Sequence, residues 1–349
     1  MVVGLLITAI CGYLVTAIGA VEATNTTGHP IKLGLSIWAP SFFTYVAQEK
    51  GFFEKNNVNV NLTLIPDYIR MLEDYRNGDV DGMVAVFADA LFQNSEGIDS
   101  KIVYMLDYSN TADIIVGKSN HDVNKYINDN SASSNSNNLS YLKGMKIGVE
   151  GINSFSHMFV LKALELSGLK EGDVEFVNVP AQNVTRALER GDIESGHSYQ
   201  PYTTEALKKG YKTLFTAGTI PGLITDVLVF RSSIVEQRPK DIEAIIKSIV
   251  EAQEYYVNNK ADAIKIMSMK SGIGENEIMN GLNSVAVPSL KENINIALNS
   301  SINDTTSLYG SGKEIAEFYT NRGQISQYPD LNQIIDSTFA NDVPGIIKR

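Results

Sequence analysis

"GVEGINSFSHMFVLKALELSGL", residues 148–169, joins a short apolar strand to an amphipathic helix through an elbow rich in Gly, Asn and Ser. The first backbone N–H groups of a helix have no partner within the helix, so a helix start after a strand can hold an anion or a polar ligand. We therefore predict a helix from Ser154 to Ser167 and expect the elbow to offer free N–H donors to a ligand.

The same strand, elbow and helix pattern occurs along most of the chain. Strands are predicted at "IKLGLSIW", "VNVNLTLI" and "VDGMVAVFA", with helices between them that end at Gly51 and Gly78. A second series of this kind opens at Met145, and the chain after "DVLVFR" is largely helical. Strands that alternate with helices of about 10 to 15 residues indicate parallel or mixed sheets covered on both faces.

The domain organisation follows from length and from this repetition. A chain of 349 residues can form two lobes with separate cores. Extended segments at 114–118 and 226–231 join the two series, so we predict an α/β fold of two lobes, with mixed sheets flanked by helices and a ligand cleft between the lobes. The predicted ranges are 30–115 for the first part of lobe 1, 116–225 for lobe 2 with an Asn/Ser-rich insertion at about 119–138, and 226–349 for the return to lobe 1 and the C-terminal helices.

The N-terminal region is apolar. No charged residue occurs from Val2 to Val21, and small residues follow. This pattern predicts that residues 1–23 are a signal peptide or an N-terminal anchor, and that the protein is exported to the periplasm or the cell surface, either cleaved or held there by residues 2–21.

Composition excludes several function classes. The net charge of -11 argues against a nucleic acid or an anionic membrane as the main partner. Cys11 is the single cysteine, so the exported part has no thiol for catalysis, disulfides or zinc binding. The 4 His residues form no catalytic or metal-binding motif in the sequence. We therefore expect no enzyme activity, no metal and no cofactor.

The candidate ligand-binding residues are polar and aromatic side chains at the predicted strand ends. They are Trp38, Ser41, Phe42, Asp67, Asp89, Asp107, Ser154, Phe155, Ser156, His157, Tyr199, Gln200 and Asp226. Each has a structural alternative: Trp38 in a core, the serines as helix N-caps, His157 as an ordinary surface or buried histidine, and the aspartates as turn or capping residues. An aspartate cluster would suit an amine or a hydrogen-bonding heterocycle, whereas helix N-termini would suit a sulfonate, carboxylate or nitrate. No Lys or Arg lies at these positions, which disfavours a multiply charged phosphate.

Several segments, taken in order, carry a family resemblance. They are "VAQEKGFFEKNNVNVNL", "RNGDVDGMVAVFADAL", "LDYSNTADIIVGK", "LKGMKIGVEGINSFSH", "ALERGDIESGHSYQPYTTEALKKGY" and "VLVFRSSIVEQRP". With the helical tail, the chain resembles the substrate-binding proteins of ABC importers for nitrate, taurine, aliphatic sulfonates and thiamine-precursor pyrimidines, the NMT1/THI5-like family. The likeness covers nearly all of the chain after the apolar N-terminus.

The resemblance implies a periplasmic-binding-protein-like fold of type II. It places ligand contacts at Trp38, Phe42 and Asp89, and in lobe 2 at Ser154, Phe155, His157, Tyr199 and Gln200. It further implies a monomeric solute-binding receptor that captures a sulfonate or taurine, a nitrate-like anion or a pyrimidine by lobe closure and delivers it to an ABC permease. Two alternatives stay open: an enzyme of pyrimidine or quinone-precursor metabolism on the same fold, and a sensory ligand-binding receptor. Pyrimidine synthases of this fold carry a cysteine-rich motif that this chain lacks.

Overall fold

The computed structural model describes residues 28–118 and 139–343. The predicted signal or anchor segment and the predicted Asn/Ser-rich insertion lie outside the described residues. Within those residues, no helix has both the length and the apolar composition needed to cross a membrane.

Eleven strands form the two sheets of the described chain. Their bounds are β1 Ile31–Leu35, β2 Val60–Leu64, β3 Gly82–Val86, β4 Ser100–Ser109, β5 Ile114–Gly117, β6 Lys146–Val149, β7 Glu175–Asn178, β8 Ser195–Ser198, β9 Lys212–Thr216, β10 Thr225–Arg231 and β11 Val285–Ala286.

Helices follow most of these strands. Their bounds are α1 Phe43–Glu49, α2 Phe52–Lys55, α3 Tyr68–Asn77, α4 Phe87–Ser95, α5 Phe155–Leu166, α6 Val184–Arg190, α7 Thr203–Lys208, α8 Ser232–Gln237, α9 Pro239–Asn258, α10 Lys260–Ser271, α11 Glu275–Asn283, α12 Leu290–Glu292, α13 Leu308–Asn321, α14 Leu331–Ile334 and α15 Thr338–Asn341.

Each sheet is mixed. The first has the strand order β11-β4-β10-β3-β1-β2, in which β1 is parallel to β2 and β3 while β10 is antiparallel to β3 and β4. The second has the order β7-β6-β8-β5-β9, with β6 parallel to its two neighbours and β5 antiparallel to β8 and β9. Helices α9 and α13 pack against α1 and α4 of the first lobe. The predicted α/β fold with two mixed sheets flanked by helices is confirmed.

Glycine and serine residues mark several of the helix ends, as the sequence predicts. Gly78 takes the left-handed conformation that ends α3, with φ 84°. Ser154 and Ser167 cap α5, the helix predicted between those two residues. The three quoted strands are shorter than predicted: β1 stops at Leu35, β2 at Leu64 and β3 at Val86. After Val86, residues 87–89 form the first turn of α4 instead of continuing the strand.

The chain crosses between the sheets twice, from Ser109 to Ile114 and from Thr216 to Thr225. The first crossing is anchored by the carbonyl of Ser284, which accepts from the backbone N–H groups of residues 110, 111 and 112. These crossings bring the end of β4 and the start of β10 to the boundary between the lobes. The predicted lobe limits of 115/116 and 225/226 stay a prediction; the second sheet begins with Ile114.

Candidate functional site

A small cavity lies where the two lobes meet. It has a volume of about 20 Å³, which is room for about one water molecule. Its lining comes from both lobes and from the crossings between them: Ser36, Trp38, Tyr68, Val86, Asp113, Phe155, Tyr199, Ile224 and Asp226. Four of these nine residues belong to the sequence-predicted set, and three more lie within two residues of a member of it, so several of the predicted strand ends meet at one cavity.

Aromatic rings form two walls of the cavity. Trp38 of lobe 1 meets Tyr199 of lobe 2 edge to face, with ring centroids 6.1 Å apart. Tyr68 and Phe155 make a second edge-to-face pair across the cleft, at 5.5 Å. Each pair joins one lobe to the other, so the rings of the cavity also hold the lobes together.

Buried carboxylates surround the rings. Asp89, Asp107, Asp113, Glu150 and Asp226 are each at most 6% exposed. Among the described residues, the buried set contains neither Lys nor Arg. Because a buried charge is costly without a partner of opposite sign, these acidic groups lack the Lys or Arg partner that would stabilise their ionised forms.

Asp107 and Asp113 each have one oxygen without a hydrogen-bond partner, and the side chain of Asp226 forms no hydrogen bond among the described residues. The Trp38 indole donates to Asp107 Oδ2 over 3.0 Å, but Asp107 Oδ1 has no partner. Asp113 Oδ1 lies 3.1 Å from His197 Nε2, and Asp113 Oδ2 has no partner. Burial raises the pKa of Asp107 well above its usual range, and the Asp113 charge adds to the shift. Burial also raises the pKa of Asp226, helped by the charges of Asp107 and Asp113.

The other two carboxylates are well bonded. Asp89 accepts from the Tyr68 hydroxyl at 2.8 Å and, across the cleft, from the backbone N–H of Phe155 at 2.9 Å. Glu150 accepts from the Tyr199 hydroxyl at 3.0 Å and from the N–H of Ala181 at 3.3 Å. Burial raises the pKa of both carboxyl groups to about 7.

The elbow before α5 differs from the expectation of free N–H donors. Ser154 Oγ accepts from the N–H of Ser156, which is the N-cap bond, and also donates to the Glu150 carbonyl. Ser156 Oγ accepts from the N–H of Glu150 at 2.9 Å and lies 2.8 Å from His197 Nδ1. The N–H of Phe155 is taken by Asp89. The elbow therefore satisfies these donors internally, and the two serines have structural roles.

Nine of the thirteen predicted residues do not line the cavity. Four of them, Asp89, Asp107, Ser154 and Ser156, make the contacts described above, and the other five lie elsewhere. Ser41 and Phe42 are buried behind Trp38, where Ser41 bonds to the Trp38 carbonyl and Phe42 stacks on Tyr45. Asp67 is the exposed N-cap of α3, and Gln200 accepts from Thr204.

His157, the fifth, faces away from the cavity toward Phe176 and Glu171. Burial, with the Arg322 charge, lowers its pKa to about 4. A neutral ring is therefore favoured at this position near neutral pH.

Four residues near the cavity were not among the candidates: Tyr68, Asp113, Glu150 and His197. Glu150 lies in the quoted elbow and Asp113 directly precedes β5, so both follow the strand-end signal. His197 is a polar residue in the fully buried strand β8, a pattern that calls for a buried partner. Tyr68 has no such signal, since its role depends on Asp89 21 residues away.

Three larger cavities of the described chain lie outside this meeting point, and the smallest of them, of about 110 Å³, lies beside β4 and β11. Another, of about 490 Å³, lies between α5 and α13 and is lined by Lys162, Lys170, Glu317 and Arg322 among others. The third, of about 470 Å³, lies on lobe 1 beside α9 and α12. None of the three is lined by any of the five buried carboxylates. The described residues also contain no group of three or more His, Cys, Asp or Glu side chains arranged to hold a metal ion.

Solved structures share this architecture. A ligand-binding component of an ABC-type import system from Staphylococcus aureus, determined with zinc bound, superimposes with a TM-score of 0.70 at 14% identity, covering 90% of this chain and 99% of that chain. The aliphatic sulphonate binding protein SsuA of Escherichia coli gives a TM-score of 0.68 at 18% identity, covering 89% and 93%. At these identities the likeness shows the fold.

Sequence comparison adds a relative and a family. The taurine-binding periplasmic protein of Escherichia coli (strain K12) is 31% identical over 146 residues, which is 39% of this chain and 45% of that protein. The match thus spans about half the length of the relative. The model of the NMT1-like family matches residues 26–269. The chain therefore belongs to the NMT1-like family, and its fold is that of the periplasmic binding proteins.

Proposed function

We propose that the protein is the exported solute-binding receptor of an ABC importer. The observation that carries this proposal is the cleft itself: side chains of both lobes converge on one cavity at the two chain crossings. The family membership and the relative named for taurine binding support the same role. The proposed ligand is a small organic or anionic solute, and the proposed membrane partner is an ABC permease. We propose that the receptor acts as a monomer.

Lobe closure is the proposed mechanism. Contacts across the cleft, such as Phe155 N–H to Asp89 and Trp38 to Tyr199, form only when the lobes are together. A solute that touches both lobes adds contacts available only near the closed state, and so shifts the open and closed populations toward closure. A cavity of about 20 Å³ is too small for taurine, so we expect bound solute to hold the lobes slightly further apart than in this structure.

One observation bears on the enzyme alternative. The fold brings together Ser156, His197 and Asp113 in a hydrogen-bonded chain, which the spacing in the sequence did not indicate. In serine hydrolases such a chain activates an exposed hydroxyl. Here Ser156 is fully buried, its Oγ already accepts from the N–H of Glu150, and Asp113 is the member that lines the cavity. We propose that these hydrogen bonds orient Asp113 toward the cleft and that the site binds its solute without catalysis.

A thermal-shift screen tests the receptor role. The purified protein is heated with taurine, alkyl sulfonates, nitrate, bicarbonate, cyanate, alkylamines and aminopyrimidines. A solute at 100 times its dissociation constant stabilises the folded state by about 2.7 kcal/mol. We expect one chemical class to raise the melting temperature, without any chemical change of the solute. Turnover of a solute would contradict the proposal and support the enzyme alternative.

A further inference from the structure

The charge of the cleft limits what can bind there. Asp107, Asp113 and Asp226 are contributed by the end of β4, the first crossing and the start of β10, so they meet at the hinge between the lobes. Burial raises the pKa of Asp107 and of Asp226, and the charge of Asp113 raises both further. No buried Lys or Arg among the described residues balances these acidic groups. An anionic group placed here would add repulsion to carboxylates that already lack compensation.

A second observation points to a ligand independently of the acidic cluster. Asp113 is 2% exposed and lines the cavity, and its Oδ2 has no hydrogen-bond partner. Its other oxygen is fixed by His197, which prevents the carboxylate from turning to another donor. The side chain of Asp226 also lines the cavity and forms no hydrogen bond among the described residues. A carboxyl oxygen accepts hydrogen bonds, so the unpartnered Oδ2 of Asp113 is placed to accept one from a donor group of the solute.

The aromatic walls suit the same kind of group. The rings of Trp38, Tyr68, Phe155 and Tyr199 border the cavity beside Asp113 and Asp226. Aromatic faces attract cations through the ring quadrupole, most strongly for Trp and where water is excluded. An ammonium or amidinium group placed between these rings gains this attraction as well as the carboxylate hydrogen bonds.

The place for an anion is already filled. The N-terminus of α5 is the positive end of a helix of 12 residues and would otherwise suit a sulfonate or nitrate. Its first N–H, at Phe155, donates to the protein's own Asp89, and that of Ser156 donates to Ser154. A ligand anion would have to displace Asp89 and leave that carboxylate buried without its cross-cleft donor.

From these four observations we infer that the cleft recognises its solute through a cationic nitrogen group, an ammonium or amidinium, held by Asp113 and Asp226 between the aromatic rings. This inference rests on the proposed receptor function. It specifies the charge of the group that the solute places at the hinge, and it makes no claim about the charge of the other groups of the solute. A zwitterion such as taurine meets the requirement through its ammonium, and a simple sulfonate or nitrate does not.

Matched probes test the inference by isothermal titration calorimetry. Taurine and ethanesulfonate differ only by the ammonium group, and ethylammonium lacks the sulfonate; agmatine adds a larger nitrogen cation. We expect heat of binding only from probes with a cationic nitrogen. Saturable binding of ethanesulfonate or nitrate in the cleft would overturn the inference and leave the receptor function standing. Binding of no probe, with no change in X-ray scattering, would contradict the receptor function as well.

The protons exchanged on binding give a second readout. The titration is repeated in phosphate and in cacodylate, two nitrogen-free buffers whose ionisation enthalpies differ. A cation favours the ionised form of the hinge carboxyl groups, so its binding should release protons. An anion held by protonated carboxyl groups would instead take up protons, and that result would overturn the inference.

A variant with a matched control completes the test. Asp226→Asn keeps the shape of a side chain that has no hydrogen bond to lose, so the protein should fold with an unchanged or higher melting temperature. Asp79→Asn makes the same chemical change at an exposed position away from the cleft. We expect Asp226→Asn to weaken binding of the cationic probe by at least about 30-fold and Asp79→Asn to leave it unchanged. Equal binding by the two variants would overturn the inference.

Discussion

At the scale of single residues, hydroxyl groups in the elbow hold the start of α5. Ser154 accepts the N-cap bond and donates to the Glu150 and Gly151 carbonyls. Ser154→Ala should lower the free energy of unfolding by about 1 kcal/mol, because an N–H of the first turn and two carbonyls lose their partner. Urea unfolding measures this change. The control is Ser301→Ala, an exposed serine whose side chain makes no bond within the described residues; an equal loss in both variants would contradict the capping role.

Buried carboxyl groups make the stability depend on pH. Asp89 and Glu150 have a folded-state pKa of about 7, against about 4 in the unfolded chain. The folded state therefore holds protons that the unfolded state has lost between these values. Their contribution is fully present below about pH 4 and is lost as pH rises through about 7.

We expect the free energy of unfolding to fall between about pH 5 and pH 7.5, by roughly 1 kcal/mol per pH unit at its steepest. His157, with its lowered pKa of about 4, opposes part of this fall below about pH 6.5. Chemical denaturation at several pH values gives the slope. Asp89→Asn combined with Glu150→Gln should flatten the slope, and Asp79→Asn should keep it; a stability that rises over this range would contradict the assignment.

At the scale of elements, an ion pair joins the C-terminal end of α13 to lobe 2. Both Arg322 guanidinium nitrogens donate to the Glu171 carboxylate, at 2.5 and 2.8 Å, and Gln324 bonds to Asn153 beside them. These contacts join the two lobes, so we expect them to act as a latch that favours the closed state, in which the paired groups are within reach.

Arg322→Ala should change the free energy of unfolding by about 1 kcal/mol or less, because the pair is partly exposed and screened. It should nevertheless open the ligand-free lobes, and small-angle X-ray scattering would report a larger radius of gyration. The control is Arg190→Ala, which removes an ion pair with Asp192 inside lobe 2. If Arg322→Ala leaves the radius unchanged, the latch contributes nothing to closure.

Elements were predictable where the signals are local. The helix that ends at Gly78 and the helix capped by Ser154 follow from glycines, caps and apolar periodicity within about ten residues. Contacts between elements were not: the Trp38 to Asp107 bond spans 69 residues and the His197 to Asp113 bond spans 84. Strand ends identified Trp38, Asp226 and Phe155 as neighbours of one cleft. Which of the strand-end side chains face the cavity depends on packing that only the fold decides.

At the scale of the whole molecule, we propose that solute binding and lobe closure depend on the same acidic residues. Asp107, Asp113 and Asp226 lie at the chain crossings, so the groups proposed to bind the solute also lie where we propose that the lobes rotate. We expect closure to disfavour the ionised forms of these carboxyl groups, and a cationic group between them to offset that cost. Binding and closure are therefore coupled through the same residues.

The most direct test of this account is a crystal structure of the protein with whichever probe the calorimetry shows to bind. We expect the solute between Trp38 and Tyr199, with a nitrogen within hydrogen-bonding distance of Asp113 and Asp226 and the lobes closed around it. A solute bound instead in the groove between α5 and α13, or one that presents an anionic group to the hinge carboxylates, would contradict the account.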